Sequence, residues 1–155
     1  MSQLHRTGLV LGLGMVLLLC SGFTSSWHYF VPASKSNTEA ISRHIAQLKS
    51  GKAQQRAAAA YWLGQQRAAA AEAIEPLVAL LGDTSEIKPA QYRSRSALQK
   101  LTMGEEAAAA LVNIGRASVE PLIRVLKTSP VPEARKNAAW ALGALHDTGA
   151  TSAQI

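Results

Sequence analysis

Cys20 is the only cysteine among 155 residues. The chain beyond it therefore has no disulfide, no thiolate metal site and no cysteine nucleophile. Aromatic residues are also scarce, at 5% of the sequence, against a hydrophobic share of 48% dominated by Ala and Leu. A β-sandwich would draw on Val, Ile, Thr and aromatic side chains, so this composition argues for helices packed closely through small residues. The four histidines are followed by Arg6, Tyr29, Ile45 and Asp147, so no His-Glu pair exists. HExxH, a glycine-rich phosphate loop and GxSxG are all missing, which leaves hydrolase and nucleotide chemistry without a foothold. The formal charge is +6, but the basic residues from Lys35 to Lys136 are scattered among acids. No polybasic block announces a nucleic acid. The sequence thus points to no catalytic residue, no metal and no cofactor.

The N-terminus is of a different kind. After Arg6 there is no Lys, Arg, Asp or Glu until Lys35. The strongest apolar part, Gly8 to Cys20, suits the core of an export signal and is short for a membrane span. Small residues around Ser21–Ser26 would suit cleavage. An uncleaved anchor is the rival, with "WHYF" at 27–30 as an interfacial aromatic belt. Lipidation at Cys20 is a third option: Leu17 suits the first lipobox position, although Leu19 stands where a small residue is expected. All three place the rest of the chain outside the cytoplasm, periplasmic or otherwise extracytoplasmic, and two of them hold it at a membrane. The expected division is a signal or anchor over 1–26, a linker over 27–35, a folded domain over 36–145 and a tail over 146–155.

Internal repetition carries the fold. "AIEPLVALLGD" (73–83) aligns without a gap on "SVEPLIRVLKT" (118–128), with Ile74, Leu77, Val78 and Leu81 matching Val119, Leu122, Ile123 and Leu126. That spacing draws one apolar stripe along a helix. Pro76 and Pro121 fall in the first turn, where a missing N–H costs little. "AISRHIAQLKS" (40–50) keeps the stripe, with His44 in the Leu column as a packing residue, and Ser36 with Glu39 has the spacing of a capping box. Each stripe is followed by an Ala-rich helix closing in glycine: "QRAAAAYWLG" (55–64), "EAAAALVNIG" (106–115) and "ARKNAAWALG" (134–143). Five residues before the glycine there is always alanine, Ala59, Ala110 or Ala138. Eight before it stand Arg56, Ala107 and Arg135. The glycines are expected to end their helices in the left-handed conformation, and the alanines to let neighbouring helices approach.

Three helix pairs follow, near 36–64, 73–115 and 117–145. This pattern resembles the HEAT-repeat superfamily, in particular the short bacterial phycobilisome-lyase-type HEAT-like repeats, with 117–145 matching along its whole length and the first two units more divergent. The resemblance implies an all-α, right-handed solenoid. Many such repeats carry an Asp in the turn that pairs with the Arg of the next helix; here only Asp83 occupies that place. Some relatives hold iron for a hydroxylase reaction through His-Glu pairs, which this chain does not have. A chromophore-lyase activity rests on the family name alone.

Binding surfaces remain to be assigned. Tyr61, Val112 and Trp140 share the position three before the glycine, with Trp62 beside Tyr61. Such a column either faces outward as protein-binding anchors or fills the seams between repeats. The long connection 82–104 adds Tyr92, Arg93, Arg95 and Lys100, a basic set suited to an acidic partner or to lipid head groups. The last helix keeps the apolar pattern of an internal unit, and "TGATSAQI" resembles the lead-in to another first helix. A second copy or a further repeat is therefore expected to cover that end. The functional expectation is an exported, non-enzymatic scaffold for an unidentified protein partner, with a chromophore-lyase-type accessory enzyme and a membrane-surface adaptor built on 82–104 as the alternatives.

Overall fold

The computed structural model describes residues 33–92 and 101–149, apart from the side chains of 33–36 and 90. The segment 1–26 with Cys20, most of the linker, Arg93, Arg95, Lys100 and the end of the tail lie outside the described residues. Six α-helices account for most of the described chain: α1 (Ala33–Gln47), α2 (Ala53–Gln65), α3 (Ile74–Val78), α4 (Met103–Ile114), α5 (Val119–Thr128) and α6 (Pro132–Asp147). Strands β1 (Glu86–Ile87) and β2 (Leu101–Thr102) pair antiparallel, with Glu86 opposite Thr102 and Ile87 opposite Leu101. Among the described residues no helix is long and apolar enough to cross a membrane.

The packing follows the repeat. Helix α4 packs against α2 and against α6, while α1, α3 and α5 pack respectively on α2, α4 and α6, and α3 also meets α5. Ala59, Ala110 and Ala138 are all buried, as their column predicts. The approach of α2 to α4 shows why small residues are required. A Cβ added to Gly64 would meet the Cα of Ala110 at 3.0 Å, so nothing larger than hydrogen fits without moving α2 from α4.

That approach also corrects the expectation for the closing glycines. Gly64 and Gly143 lie inside α2 and α6, and only Gly115 takes a positive φ, of 96°. Left-handed backbone after α2 falls instead on Arg67, at φ 53°, and after α6 on Gly149, at φ 75°. Helix α1 begins at Ala33, which places Ser36 inside it rather than at its cap. A complete capping box occurs at α4: Thr102 Oγ1 accepts from Glu105 N at 3.3 Å, and Thr102 N donates to the Glu105 carboxylate at 2.8 Å.

The apolar stripe over 73–83 is helical only to Val78. Beyond it, i→i+3 bonds tighten the chain: Leu80 N to Leu77 O, Leu81 N to Val78 O and Asp83 N to Leu80 O. The turn so formed is the point at which three helices are fastened. Asn137 of α6 donates to Leu81 O at 2.7 Å. The first two N–H groups of α4 go to the same turn, Gly104 to Asp83 O at 2.8 Å and Met103 to Ser85 O at 2.9 Å. Arg56 of α2 donates to the Asp83 carboxylate at 2.6 Å and to Ser50 O at 2.7 Å. Asp83 thus pairs with the earlier helix α2, not with the helix after it. Arg135 repeats half of this arrangement, donating to Ser129 O at 2.7 Å. Burial pushes the Asp83 carboxyl up, but hydrogen bonds from Ser85 and Arg56, with the Arg56 charge, outweigh it and hold the group below its usual value of 3.8.

Two measurements test this account. A carboxylate with a depressed folded pKa stabilises the fold above its unfolded value and loses that contribution as pH falls through the folded value. Stability should therefore drop on acidification below about pH 4, and Asp83→Asn should lower it at neutral pH by about 1–2 kcal/mol while flattening the acid limb of a melting-temperature profile. Second, two glycine positions should respond oppositely to alanine. A Cβ on Gly104 would stand 2.5 Å from Leu81 O and 2.7 Å from Asn137 Nδ2, whereas Gly143 has nothing within 4 Å. By chemical denaturation, Gly104→Ala should cost about 1–3 kcal/mol and Gly143→Ala should gain about 0.5–1 kcal/mol.

Candidate functional site

Trp140, on α6, is 56% exposed. The other three candidate aromatics within the described residues are partly buried and held by neighbours within the chain. The Tyr61 ring lies 5.6 Å from that of Tyr92 at 48°, a tilted aromatic pair. The Trp62 ring stacks on the His44 imidazole at 4.1 Å and 24°. Consecutive residues on a helix diverge by about 100°, so these neighbours serve different partners. Tyr61 faces the 82–104 connection and Trp62 faces α1.

The position three before the glycine is therefore not uniform. Tyr61 and Val112 are half-buried, and only Trp140 presents most of its surface to solvent. The difference arises from what lies opposite: the long connection supplies Tyr92 to Tyr61, and no described element covers Trp140.

The connection itself is fastened rather than loose along its described part. Gln54, near the start of α2, exchanges two hydrogen bonds of 2.9 Å with the backbone of Lys88. Tyr92 donates its hydroxyl to the Glu106 carboxylate at 3.0 Å. Glu106 is only 1% exposed, an acid inside the apolar packing of α4, which requires hydrogen bonding to be tolerated there. Tyr61, Tyr92 and Glu106 thus join α2, the connection and α4, while Arg93 and Arg95 lie outside the described residues.

The roles of Gln54 and Glu106 escaped the sequence reading, and Asn137, which in the sequence reads as free to meet a partner, is instead buried. A signal existed for one of the three. Asn137 aligns with Ala58 and Ala109, a polar residue in an otherwise small column, whereas Glu106 shares its column with the polar Gln55 as well as with Ala134. Asn137 proves to be the side chain that reaches the Leu81 carbonyl. Gln54 sits among other polar residues, and nothing local distinguishes it.

An open cleft of about 520 Å³ lies between α1 and α2, lined by Arg43, Ala46, Gln47, Ser50, Gln55 and Ala58. It contains none of the candidate aromatics. Among the described residues no group of three or more His, Cys, Asp or Glu comes together as a metal site would require. His146 and Asp147 lie 3.7 Å apart on an exposed helix end.

Paired helices repeated along the chain, with alanine columns between them, define a helical-repeat protein. Residues 55–83 match the PBS lyase HEAT-like repeat, which supports a HEAT-like repeat protein. The match falls in the part of the sequence read as more divergent, and its frame runs from the second helix of one pair through the first helix of the next. Arg56 lies near its beginning and Asp83 at its end, so their ion pair of 2.6 Å closes the unit on itself. No curated protein and no solved structure matches the chain.

The triad of Tyr61, Tyr92 and Glu106 should be a unit in stability measurements. Tyr92→Phe removes a hydrogen bond to a buried carboxylate and should cost about 1–2 kcal/mol by urea denaturation. A double-mutant cycle of Tyr61→Ala and Tyr92→Ala should give a coupling of about 0.5–1.5 kcal/mol. Additive losses would show that the rings are neighbours without mutual stabilisation.

Proposed function

We propose that the protein is an exported, non-enzymatic protein-binding scaffold, a right-handed α-solenoid of three HEAT-like helix pairs that presents a preformed surface on stacked helices. The single observation that supports it most is the exposure of Trp140 on a helix whose other face is fixed by Leu145, Ala141 and Ala138 in the core. A large aromatic side chain on a rigid helix binds a protein surface at low cost in conformational entropy, and tryptophan is enriched among residues that dominate such interfaces. Tyr61, Trp62 and Tyr92 support the scaffold rather than the contact, since their rings are committed to Tyr92, His44 and Tyr61. Export rests on the apolar run from Gly8 to Cys20 behind Arg6.

Photo-crosslinking in cells tests the assignment. A photoreactive amino acid in place of Trp140 should yield a discrete protein adduct after illumination, identified by mass spectrometry, and the same group in place of Tyr61 should yield little. No adduct from position 140, with the protein folded and expressed, removes the binding surface and this function with it.

A further inference from the structure

The stacked-array reading proposed for this chain has a consequence for α6. Positions that are equivalent in the repeat should have similar surroundings wherever another unit lies beyond them. Counting back from the closing glycine, the fourth and seventh residues are Ala60 and Ala57 in α2, and Leu111 and Ala108 in α4; all four are fully buried. In α6 the same positions are Ala139 and Lys136, and both are exposed. Gly64 lies against Ala110, while Gly143, which unlike Gly115 stays within its helix, has nothing within 4 Å, as is also the case for Gly115. The first helix of the pair agrees: Leu48 and Leu81 are buried, whereas Leu126 is 39% exposed. The face that internal units use for stacking is open on α6, and it has kept the small and apolar residues of an internal unit around Trp140.

The order of residues on that face says what fits it. Lys136, Ala139, Trp140, Gly143 and Asp147 fall within about 100° of one another around the helix and span about 16 Å along it. We infer that this face binds a second copy of the chain, with the two α6 helices antiparallel about a two-fold axis passing between residues 141 and 142. That register sets Trp140 of each chain opposite Gly143 of its partner, the largest side chain against the one position with no side chain. It also sets Lys136 opposite Asp147 at both ends, a cation against a carboxylate twice over. A two-fold interface must be self-complementary in this sense, each patch matching itself after rotation. Among the described residues of the single chain Lys136 reaches only Glu133, at 3.1 Å and with both side chains largely exposed, which leaves little energy to hold it from another partner.

Sedimentation velocity of the full 155-residue chain, in mild detergent to keep the apolar N-terminal run in solution, tests the interface. The expected result is a monomer–dimer equilibrium across the micromolar range, abolished by Trp140→Ala. Lys136→Asp alone places two pairs of like charges in contact, as does Asp147→Lys alone, and each should weaken the dimer about tenfold or more. The double variant Lys136→Asp/Asp147→Lys should restore it, which only the antiparallel two-fold register predicts. All these side chains are exposed, and circular dichroism should confirm unchanged helicity in each variant. A monomer at every concentration, a dimer indifferent to Trp140→Ala, or no rescue in the double variant would each overturn the inference. The scaffold reading fails separately. An adduct from position 140 with a different protein would retain that reading and reject self-pairing, whereas absence of any adduct together with a monomer would reject both.

Discussion

The turn from Leu81 to Ser85 is the constraint on which the remaining packing depends. A helix continuing through it would use the Leu81 carbonyl internally, accepting from the N–H four residues later. Instead the chain tightens after Val78, and the carbonyls of Leu81, Asp83 and Ser85 are offered sideways to Asn137, Gly104 and Met103. Backbone polar groups removed from water must find partners, and here those partners belong to α4 and α6. The Asp83 side chain extends the same turn to α2 through Arg56. One interrupted helix therefore sets the relative placement of three uninterrupted ones. The lack of room at Gly104 is the steric expression of this constraint, since the α4 terminus must come within hydrogen-bond distance of the turn backbone.

The small side chains then acquire a definite role. An interior of alanine buries little apolar area per residue, and each methyl group contributes correspondingly little by transfer from water. What alanine supplies is proximity. With Gly64 against Ala110, the α2 and α4 backbones approach closely enough for larger residues at the margins, such as Leu63, Leu111 and Met103, to be fully buried. Stability is thus carried by a few large residues whose enclosure depends on many small ones. The scarcity of aromatics fits this arrangement. Trp62 and Tyr61 are placed where α1 and the long connection meet α2, at joints that the alanine column does not close.

How much of this could be read from the sequence follows from the same physics. Helical character, the pairing of helices and the buried column at Ala59, Ala110 and Ala138 were legible because a period of 3.6 residues leaves a clear trace over ten or more positions. Helix ends were not. Glycine serves both a left-handed turn and a close approach, and the two uses look alike in one dimension. Gly115 takes the first, Gly64 the second, and Gly143 neither. The truncation of α3 was hidden for a related reason. Its apolar stripe continues through Leu81, but the claims on its carbonyls come from Asn137 and Gly104, far along the chain. In the candidate site, scarcity drew the aromatic residues together as candidates, but their separation into internal joints and one exposed ring depended on what lay across from each.

Repetition makes that last distinction physical rather than statistical. In a stacked array each unit is an internal control for the next, because equivalent residues differ in environment only through their neighbours. Ala57 and Ala108 are buried, and Lys136 is solvated at the same position, a substitution that a covered helix would not tolerate without a partner for the charge. Ala139 and Gly143, beside it, retain the character of covered residues. A face adapted only for water would have replaced all of them with polar side chains, and one adapted only for stacking would have kept the alanine. The mixture on α6, one charge of each sign at the ends and a tryptophan with small residues between, is the composition of a contact made after folding: apolar at its centre and polar at its rim.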